Sequence, residues 1–294
     1  MKPSRTGPFN YLPIIHRPKL TWPNGKRLAF WVIPNIETFA LNEKMPDGNP
    51  VIPNVFSWSR REYGNRVGVF RIMKVLERYG IRATVALNSN VCADAPAVIE
   101  EGIRLGWEWM GHGETNTRKM SDCVSPEEER EVISRTLDTI AQATGKRPIG
   151  WLGPGLQETW DTLDVLSEQG IKYVGDWTCD DQPYSLNTAH GPVLSIPYGH
   201  DMGDKTAVDH LSYPPEFFMR MMIDTFNVLY RESADSGRIM PLSLHPYITG
   251  VPHRIDYLDR ALEYISRHDD VWFATGSEIM EHYLGSYASK QSEL

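Results

Sequence analysis

The chain has 294 residues, of which 41% are hydrophobic and 11% aromatic, so it is long and apolar enough to bury a large core in one domain. Its formal net charge of −8, with no cluster of basic residues, argues against a nucleic-acid or anionic-membrane partner. No apolar run approaches the roughly 18 residues of a membrane span, and we see no signal peptide in the first residues. We therefore expect a cytoplasmic protein.

The predicted organisation has three parts. Residues 1–26 are rich in proline and glycine without periodicity, which indicates an extended arm on the surface. Residues 27–285 form the predicted domain, and residues 286–294 a flexible tail. Within the domain, the prolines and glycine of residues 43–60 predict a long loop, and loops of this length often shape functional sites.

Short apolar runs alternate with segments of helical spacing along the domain. The predicted strands are Leu28–Pro34, Arg82–Leu87, Trp107–Gly111, Ile171–Gly175, Ile239–Leu244 and Val271–Ala274. The predicted helices are Val67–Tyr79, Ala97–Leu105, Ser125–Gly145, Thr159–Gln169, Pro214–Arg231 and Ile255–Arg267. This alternation predicts an α/β fold with a parallel sheet, closed into a single irregular (β/α) barrel of about seven strands.

The clearest predicted helix begins at Ser125. Ser125 can act as N-cap, Pro126 occupies the first helical position, and Glu128 stands where a capping box needs an acidic residue. Gly145 is suited to end the helix.

Four reactive residues each follow a predicted strand directly or within three residues: Glu37, His112, Asp176 and His245. The carboxyl ends of all strands meet at one face of a parallel barrel, so these side chains are expected to converge. This pattern favours an enzyme.

His112 lies between Gly111 and Gly113, which would let a ligand approach its imidazole, and Asn116 follows one helical turn later. A histidine at 116 would make a strong metal signal, whereas an amide oxygen is a poorer zinc ligand. The alternative is a histidine that only makes hydrogen bonds in a glycine-rich turn.

Glu37 and His245 each have more than one interpretation. A carboxylate at the end of an apolar strand serves as a metal ligand, a general base or the partner of a buried arginine. The position of His245 favours a general acid or a donor to the transition state, and a packed histidine is the alternative.

Three carboxylates, Asp176, Asp180 and Asp181, lie close to Trp177 and Tyr184. A solvated loop explains this cluster as well as a pocket does, in which aromatic and acidic groups bind a small polar ring. We predict substrate contacts from Trp109, Asn116, Trp151, Asp176, Trp177, Asp181 and Tyr184.

In order and spacing, the segments WPNGKRLAF, REYGNRVGVFRIMKVLERYGIRATVAL, WEWMGHG, GWLGPG, CDDQPY and SLHPY resemble the polysaccharide deacetylase (NodB-like carbohydrate esterase) superfamily. The similarity extends over nearly the whole chain and is strongest to the cytoplasmic branch of allantoinases and cyclic imide hydrolases. The resemblance implies an irregular (β/α) barrel of about seven strands and, for this branch, a tetramer.

The chain departs from the family's pattern at several positions. Asn35 stands where the resemblance implies an aspartate base, Glu37 replaces the aspartate ligand, and Asn116 replaces the second histidine of the metal pair. Leu152 occupies the place of an arginine, while His112 and His245 match the metal-binding and catalytic-acid histidines.

The resemblance implies a hydrolase of carbon–nitrogen bonds that opens a small cyclic amide, imide or ureide. One route uses zinc held by Glu37, His112 and Asn116. The other is metal-independent, with Glu37 as base and His112 and His245 as donors. The alternatives are a zinc-dependent deacetylase of an N-acetylated sugar or acetamide, and an inactive homologue that only binds its ligand.

Overall fold

The structure is a computed structural model and describes residues 3–287. Nine strands are found in this part of the chain: β1 (Leu28–Ile36), β2 (Thr84–Leu87), β3 (Glu108–Gly111), β4 (Gly150–Trp151), β5 (Tyr173–Val174), β6 (Tyr184–Leu186), β7 (Val193–Ser195), β8 (Arg238–Leu244) and β9 (Val271–Phe273). All pairings are parallel except that of β6 with β7.

Helices connect and cover these strands. They are α1 (Val55–Tyr63), α2 (Val69–Arg78), α3 (Val91–Asp94), α4 (Pro96–Arg104), α5 (Pro126–Thr144), α6 (Thr162–Glu168), α7 (Pro215–Glu232), α8 (Pro246–Thr249), α9 (Pro252–Ser266) and α10 (Gly276–Ser286). Two π-helical segments, Gly64–Gly68 and Lys205–His210, join α1 to α2 and precede α7.

The strand order is β6-β7-β5-β4-β3-β2-β1-β8, and β9 also pairs with β1. The predicted α/β class and irregular barrel are confirmed, with nine strands instead of about seven. Among the described strands no ladder joins β8 to β6, but the main-chain N–H of Ile239 in β8 donates to the main-chain oxygen of Asp181, just before β6, at 2.9 Å. The antiparallel hairpin of β6 and β7 ends the sheet on one side.

Both faces of β1 are buried, as expected for a parallel strand between two apolar layers. Phe30 and Val32 belong to the cluster that packs against the helices. Trp31 and Ile33 belong to the cluster in the barrel interior. Since side chains alternate along a strand, the interior face continues through Asn35 to Glu37.

Local details differ from the predicted elements. The segment 43–60 is not a loop throughout, because α1 begins at Val55, where Asn54 accepts a hydrogen bond from the Ser57 amide. Ser125 caps α5 as predicted, but Glu128 accepts from the amide of Val124 at 2.7 Å instead of completing a capping box with Ser125.

The predicted arm, residues 1–26, contains short 3-10 turns, and its Leu20 and Trp22 are buried. Of the predicted tail, Ser286 is the last residue of α10 and Tyr287 is buried, whereas residues 288–294 lie outside the described residues. No helix within residues 3–287 has both the length and the apolar character needed to cross a membrane.

Candidate functional site

Three predicted residues converge at the carboxyl end of the barrel. Nε2 of His112 lies 3.6 Å from Oε1 of Glu37, and Nε2 of His245 lies 3.8 Å from the same oxygen. All three side chains are buried and line a cavity of about 210 Å³. The two imidazoles therefore flank one carboxylate oxygen.

The alternation of the strands explains this convergence. Met110 on β3 and Ile239 on β8 face the barrel interior together with Trp31 on β1. His112 follows Met110 by two residues, and His245 follows Ile239 by six, so both keep the inward phase. Glu37 is in phase with Trp31 in the same way.

A chain of hydrogen bonds holds the Glu37 carboxylate. Asn116 donates from Nδ2 to Oε1 of Glu37 at 2.6 Å, and Lys119 donates from Nζ to Oδ1 of Asn116 at 3.2 Å. A flipped Asn116 amide would place its oxygen against Oε1 of Glu37 and its N–H groups against the Lys119 ammonium. These contacts would be repulsive, so the orientation of the amide is fixed. Lys119 therefore acts on Glu37 through Asn116.

Glu37 stays ionised in this environment. Burial alone would raise its pKa, since a carboxylate loses hydration in the interior. The nearby imidazoles of His112 and His245 and the charge of Lys119 outweigh that effect, and the pKa of Glu37 lies below its ordinary value. A buried, ionised carboxylate at the bottom of a cavity is suited to accept a proton.

His245 is held by a fully buried carboxylate, Asp204. Nδ1 of His245 lies 2.8 Å from Oδ1 of Asp204, while the main-chain N–H of His245 and the hydroxyl of Thr249 both donate to Oδ2. Burial lowers the pKa of His245, but the charges of Asp204 and Glu37 outweigh it and the pKa is raised above 6.5. The surroundings of His245 therefore favour its protonated form, which can give a proton.

The two ring nitrogens of His112 have different surroundings. Its Nδ1 lies 2.6 Å from the main-chain oxygen of Leu152, so Nδ1 carries the proton that makes this bond. Nε2 is buried without a hydrogen-bond partner and lies 3.6 Å from Oε1 of Glu37. The donor role expected from sequence stays a prediction.

The glycines beside His112 serve packing more than ligand access. A side chain at Gly111 would collide with the Trp151 ring, and one at Gly113 would collide with Pro154. Gly113 also has a φ of +70°, which side-chain-bearing residues rarely adopt. The expectation that both glycines leave space for a ligand was therefore wrong. Glycine is needed at these positions because Trp151 and Pro154 occupy the adjacent space.

The predicted metal ligands do not fit a divalent ion as the structure arranges them. His112 fits, because its unpartnered Nε2 and its second nitrogen bonded to a carbonyl are typical of a metal-binding imidazole. Asn116, however, turns its N–H groups to Glu37 and gives its oxygen to the Lys119 ammonium. Within residues 3–287, no three His, Cys, Asp or Glu side chains are grouped so as to hold a metal.

Asn35 fills the position next to Glu37 on the interior face. It donates from Nδ2 to the hydroxyl of Tyr198 at 2.9 Å and to the main-chain oxygen of Leu244 at 3.4 Å. Leu152 is buried against Gly175 in the interior cluster. A neutral amide and an aliphatic side chain thus stand where the resemblance implies an aspartate and an arginine.

Comparison with known proteins agrees with this fold. Residues 62–174 match the family described as "Polysaccharide deacetylase". The resemblance to the polysaccharide deacetylase superfamily that the sequence indicated is thus confirmed. A peptidoglycan deacetylase of Helicobacter pylori is 22% identical over 260 residues, which cover 77% of this chain and 87% of that protein.

Two crystal structures are similar over most of the chain. A probable polysaccharide deacetylase from Pseudomonas aeruginosa PAO1 has a TM-score of 0.83 and 28% identity, covering 92% of this chain and 95% of the other. Puue allantoinase has a TM-score of 0.81 and 28% identity, covering 92% and 94%. The family and these relatives support the coarser prediction, a hydrolase that acts on carbon–nitrogen bonds.

Of the predicted substrate contacts, Asn116 alone lines this cavity. The Trp109 ring packs against Gly102 of α4, and the Trp151 ring packs against Gly111 and Leu137. Both indoles lie on the helix side of the sheet, because each is one residue out of phase with the inward-facing positions.

Asp176 and Trp177 also lie away from the cavity. Asp176 accepts a hydrogen bond from the Gly153 amide at 2.7 Å, and burial raises its pKa to about 7. The indole of Trp177 donates to Oε1 of Glu158 at 3.1 Å. Asp176 therefore holds the Leu152–Gly153 segment from the side opposite the cavity, and its carboxylate does not face Glu37.

Asp181 and Tyr184 line a separate cavity of about 850 Å³ between the N-terminal arm and residues 178–187. Asp180 does not face the Glu37 cavity either, since it accepts a hydrogen bond from Nη1 of Arg17 at 2.8 Å. Asp180 thus anchors the arm, and none of the three aspartates lines the Glu37 cavity.

Sequence reasoning missed several residues of the site. The cavity is also lined by Arg61, Lys119, Tyr198, Lys205 and Tyr247, and Asp204 lies directly behind His245. Lys119 could have been found from its spacing, because it follows Asn116 by three residues. Asp204 and Lys205 lie in a segment without periodicity, which gave no signal.

Proposed function

We propose that the protein hydrolyses a carbon–nitrogen bond in the ring of a small cyclic amide, imide or ureide. The observation that carries this proposal is the meeting of an ionised carboxylate, Glu37, with an imidazole of raised pKa, His245, within 3.8 Å in one small cavity. A base and an acid side by side are what amide hydrolysis requires.

The first step is attack by water. Glu37 takes a proton from a water molecule, and Nε2 of His112, 3.6 Å from the same carboxylate oxygen, helps to orient that water. The water oxygen bonds to the ring carbonyl carbon, whose oxygen becomes negatively charged. Lys119 and His245, whose charges act on Glu37, line the same cavity and would stabilise this negative charge.

The second step breaks the ring. The carbon–nitrogen bond cleaves, and the nitrogen takes the proton from Nε2 of His245 as it leaves. The product is an open chain that ends in a carboxylic acid, which loses its proton to water. Proton exchange with solvent then returns Glu37 to its ionised form and His245 to its protonated form.

The size of the cavity supports a small substrate. About 210 Å³ is the space of about seven water molecules at ~30 Å³ each, which suits a five- or six-membered ring with its attacking water. The similarity to Puue allantoinase supports a cyclic ureide within this class.

A substrate panel tests the proposal. Succinimide, hydantoin and dihydrouracil are incubated with the protein, and ring opening is followed by ultraviolet absorbance and mass spectrometry. Ring opening without release of acetate supports the proposal. Acetate release from an N-acetylated sugar or acetamide would support the deacetylase alternative instead, and saturable binding without any hydrolysis would identify a homologue that only binds.

The assembly and the cellular location remain proposals. We propose a cytoplasmic homotetramer with a small-molecule substrate and no nucleic-acid or membrane partner. Light scattering on the purified protein measures the assembly, and a mass near 33.5 kDa would contradict the tetramer.

A further inference from the structure

Arg61 is a buried cation without a buried counter-ion. Its side chain lines the Glu37 cavity, and the residue is only 5% exposed. Its Nη1 donates to the main-chain oxygen of Ser57 at 3.1 Å and also to the Ser57 hydroxyl, while Nε has no hydrogen-bond partner. A buried guanidinium with an unsatisfied N–H is costly unless an anion completes it.

The two lysines at the cavity each interact with a carboxylate, and one of these carboxylates, Asp209, also pairs with Arg60. Lys205 pairs with Asp209 at 2.5 Å. Lys119 is linked to Glu37 through Asn116. Among residues 3–287, no carboxylate lies within 4 Å of the Arg61 guanidinium.

The carboxylate of Asp47 interacts with the charge of Arg61 at longer range. It does not neutralise the charge of Arg61 inside the cavity. Asp47 is solvent-exposed and bonds to the loop itself, through the Asn49 amide and the Asn54 side chain. Among the described residues, Arg61 is therefore a cation of the cavity without a salt-bridge partner.

Aromatic rings hold the guanidinium in place. The Arg61 guanidinium carbon lies 4.9 Å from the centre of the Phe39 ring and 5.5 Å from that of Tyr247, and both rings line the cavity. Such contacts fix the orientation of a planar guanidinium and leave its free edge for a planar anion. The same rings give the cavity flat apolar walls.

We propose that the substrate is a cyclic amide or ureide that carries a carboxylate substituent, and that Arg61 binds this carboxylate. This inference rests on the proposed ring-opening function. Arg61 fixes the ring by its substituent, so that the ring carbonyl lies at Glu37. A guanidinium matches a carboxylate with two parallel hydrogen bonds, which explains an arginine here.

Two matched substrate pairs test the proposal: dihydrouracil against dihydroorotate, and hydantoin against hydantoin-5-acetate. In each pair the second ring differs by a carboxylate-bearing substituent. We expect kcat/KM to be about 10- to 100-fold higher for the carboxylate-bearing ring, as expected for a charge-assisted bidentate contact. Equal values, or a preference for the neutral rings, would overturn the inference and leave the ring-opening function standing.

Variants assign the preference to Arg61. Arg61→Gln should abolish the advantage of the carboxylate-bearing ring mainly through KM, and Arg61→Lys should keep part of it. Arg66→Gln is the matched control, because Arg66 lies five residues along the same helical segment, is exposed and does not line the cavity. If Arg61→Gln lowers activity on both members of a pair equally, Arg61 has a structural role and the inference fails.

Calorimetry separates this inference from the ring-opening proposal. If no ring is opened, the ring-opening proposal fails, and dihydroorotate and dihydrouracil are titrated into the wild-type protein and the Arg61→Gln variant. Selective binding of dihydroorotate that the variant loses would support anion recognition by Arg61. Equal binding of both rings, or no binding, would refute it. Circular dichroism checks that each variant is folded.

Discussion

Nδ1 of His245 lies 2.8 Å from Oδ1 of Asp204, a carboxylate with no exposed surface, although the two residues are 41 positions apart. The second oxygen of Asp204 accepts from the His245 main-chain N–H and from Thr249. Asp204 thus orients His245 and favours its protonated form. The general acid of the site is the pair of His245 and Asp204.

Asp204→Asn should move the alkaline limb of the kcat profile to lower pH. His245 must be protonated to give its proton, so activity is lost as pH rises through its pKa. Asp204 raises that pKa, and its neutral replacement lets burial lower it instead. Thr249→Val is the control, because it removes one hydrogen bond and leaves the charge. An unchanged limb in Asp204→Asn would exclude His245 as the acid.

Glu37→Gln should lower kcat by several powers of ten with little change in substrate affinity. Glutamine keeps the shape but offers no basic oxygen to the attacking water. Turnover and ligand binding are measured on the same preparation, with the melting temperature as a check on the fold. Loss of affinity without loss of kcat would identify Glu37 as a binding residue.

Asn116→Asp should move the acidic limb of kcat/KM to higher pH by about one to two units. The new carboxylate would lie against Oε1 of Glu37, where Asn116 now donates at 2.6 Å. Two neighbouring carboxylates hold a proton between them, so the pair becomes a base only at higher pH. Asn116→Ala, which adds no charge, should lower activity with a smaller shift of the limb.

Removal of metal should leave activity unchanged. The predicted ligand Asn116 gives its oxygen to the Lys119 ammonium and turns its N–H groups to Glu37, so it offers no lone pair to an ion. Dialysis against a chelator followed by elemental analysis and assay makes the test. Loss of activity that added zinc restores would contradict the metal-independent mechanism, as would tighter zinc binding and higher turnover in Asn116→His.

Arg17→Ala should lower the free energy of unfolding by about 3 kcal/mol, because it leaves Asp180 buried without its partner. The side chains of Arg17 and Asp180 are 8% and 13% exposed, and Arg17 also donates to the main-chain oxygen of Leu12. Arg78→Ala, which breaks an exposed pair with Asp259, is the control and should change stability little. Equal effects in urea denaturation would show that the arm adds no stability through this pair.

The strand ends of the site could be predicted from sequence because four short apolar runs mark them clearly. Side chains alternate between the two faces of a strand, and this alternation determines which of the predicted site residues face the barrel interior. Tyr173 on β5 faces the interior, so Asp176, three residues later, faces away. Applying the same two-residue period to every strand end would have kept Glu37, His112 and His245 and removed Trp109, Trp151 and Asp176.

The remaining parts of the site depend on contacts that no local pattern encodes. Asp204 reaches His245 from an irregular segment, and Arg61 reaches the cavity from helix α1, which begins within the predicted loop 43–60 and ends beyond it. Their positions follow from how loops fold over the barrel, which is a property of tertiary packing. Helix α5 shows the opposite case, since its cap and its last glycine are local signals and both were found.

The bond between Nδ1 of His112 and the main-chain oxygen of Leu152 does not depend on which side chain stands at position 152. Every amino acid at position 152 supplies the same carbonyl, so no single substitution can delete the acceptor. The side chain at 152 is thereby free to vary, provided that it fits the space beside Gly175. A chain with leucine in place of a charged residue there keeps His112 in the same protonation pattern.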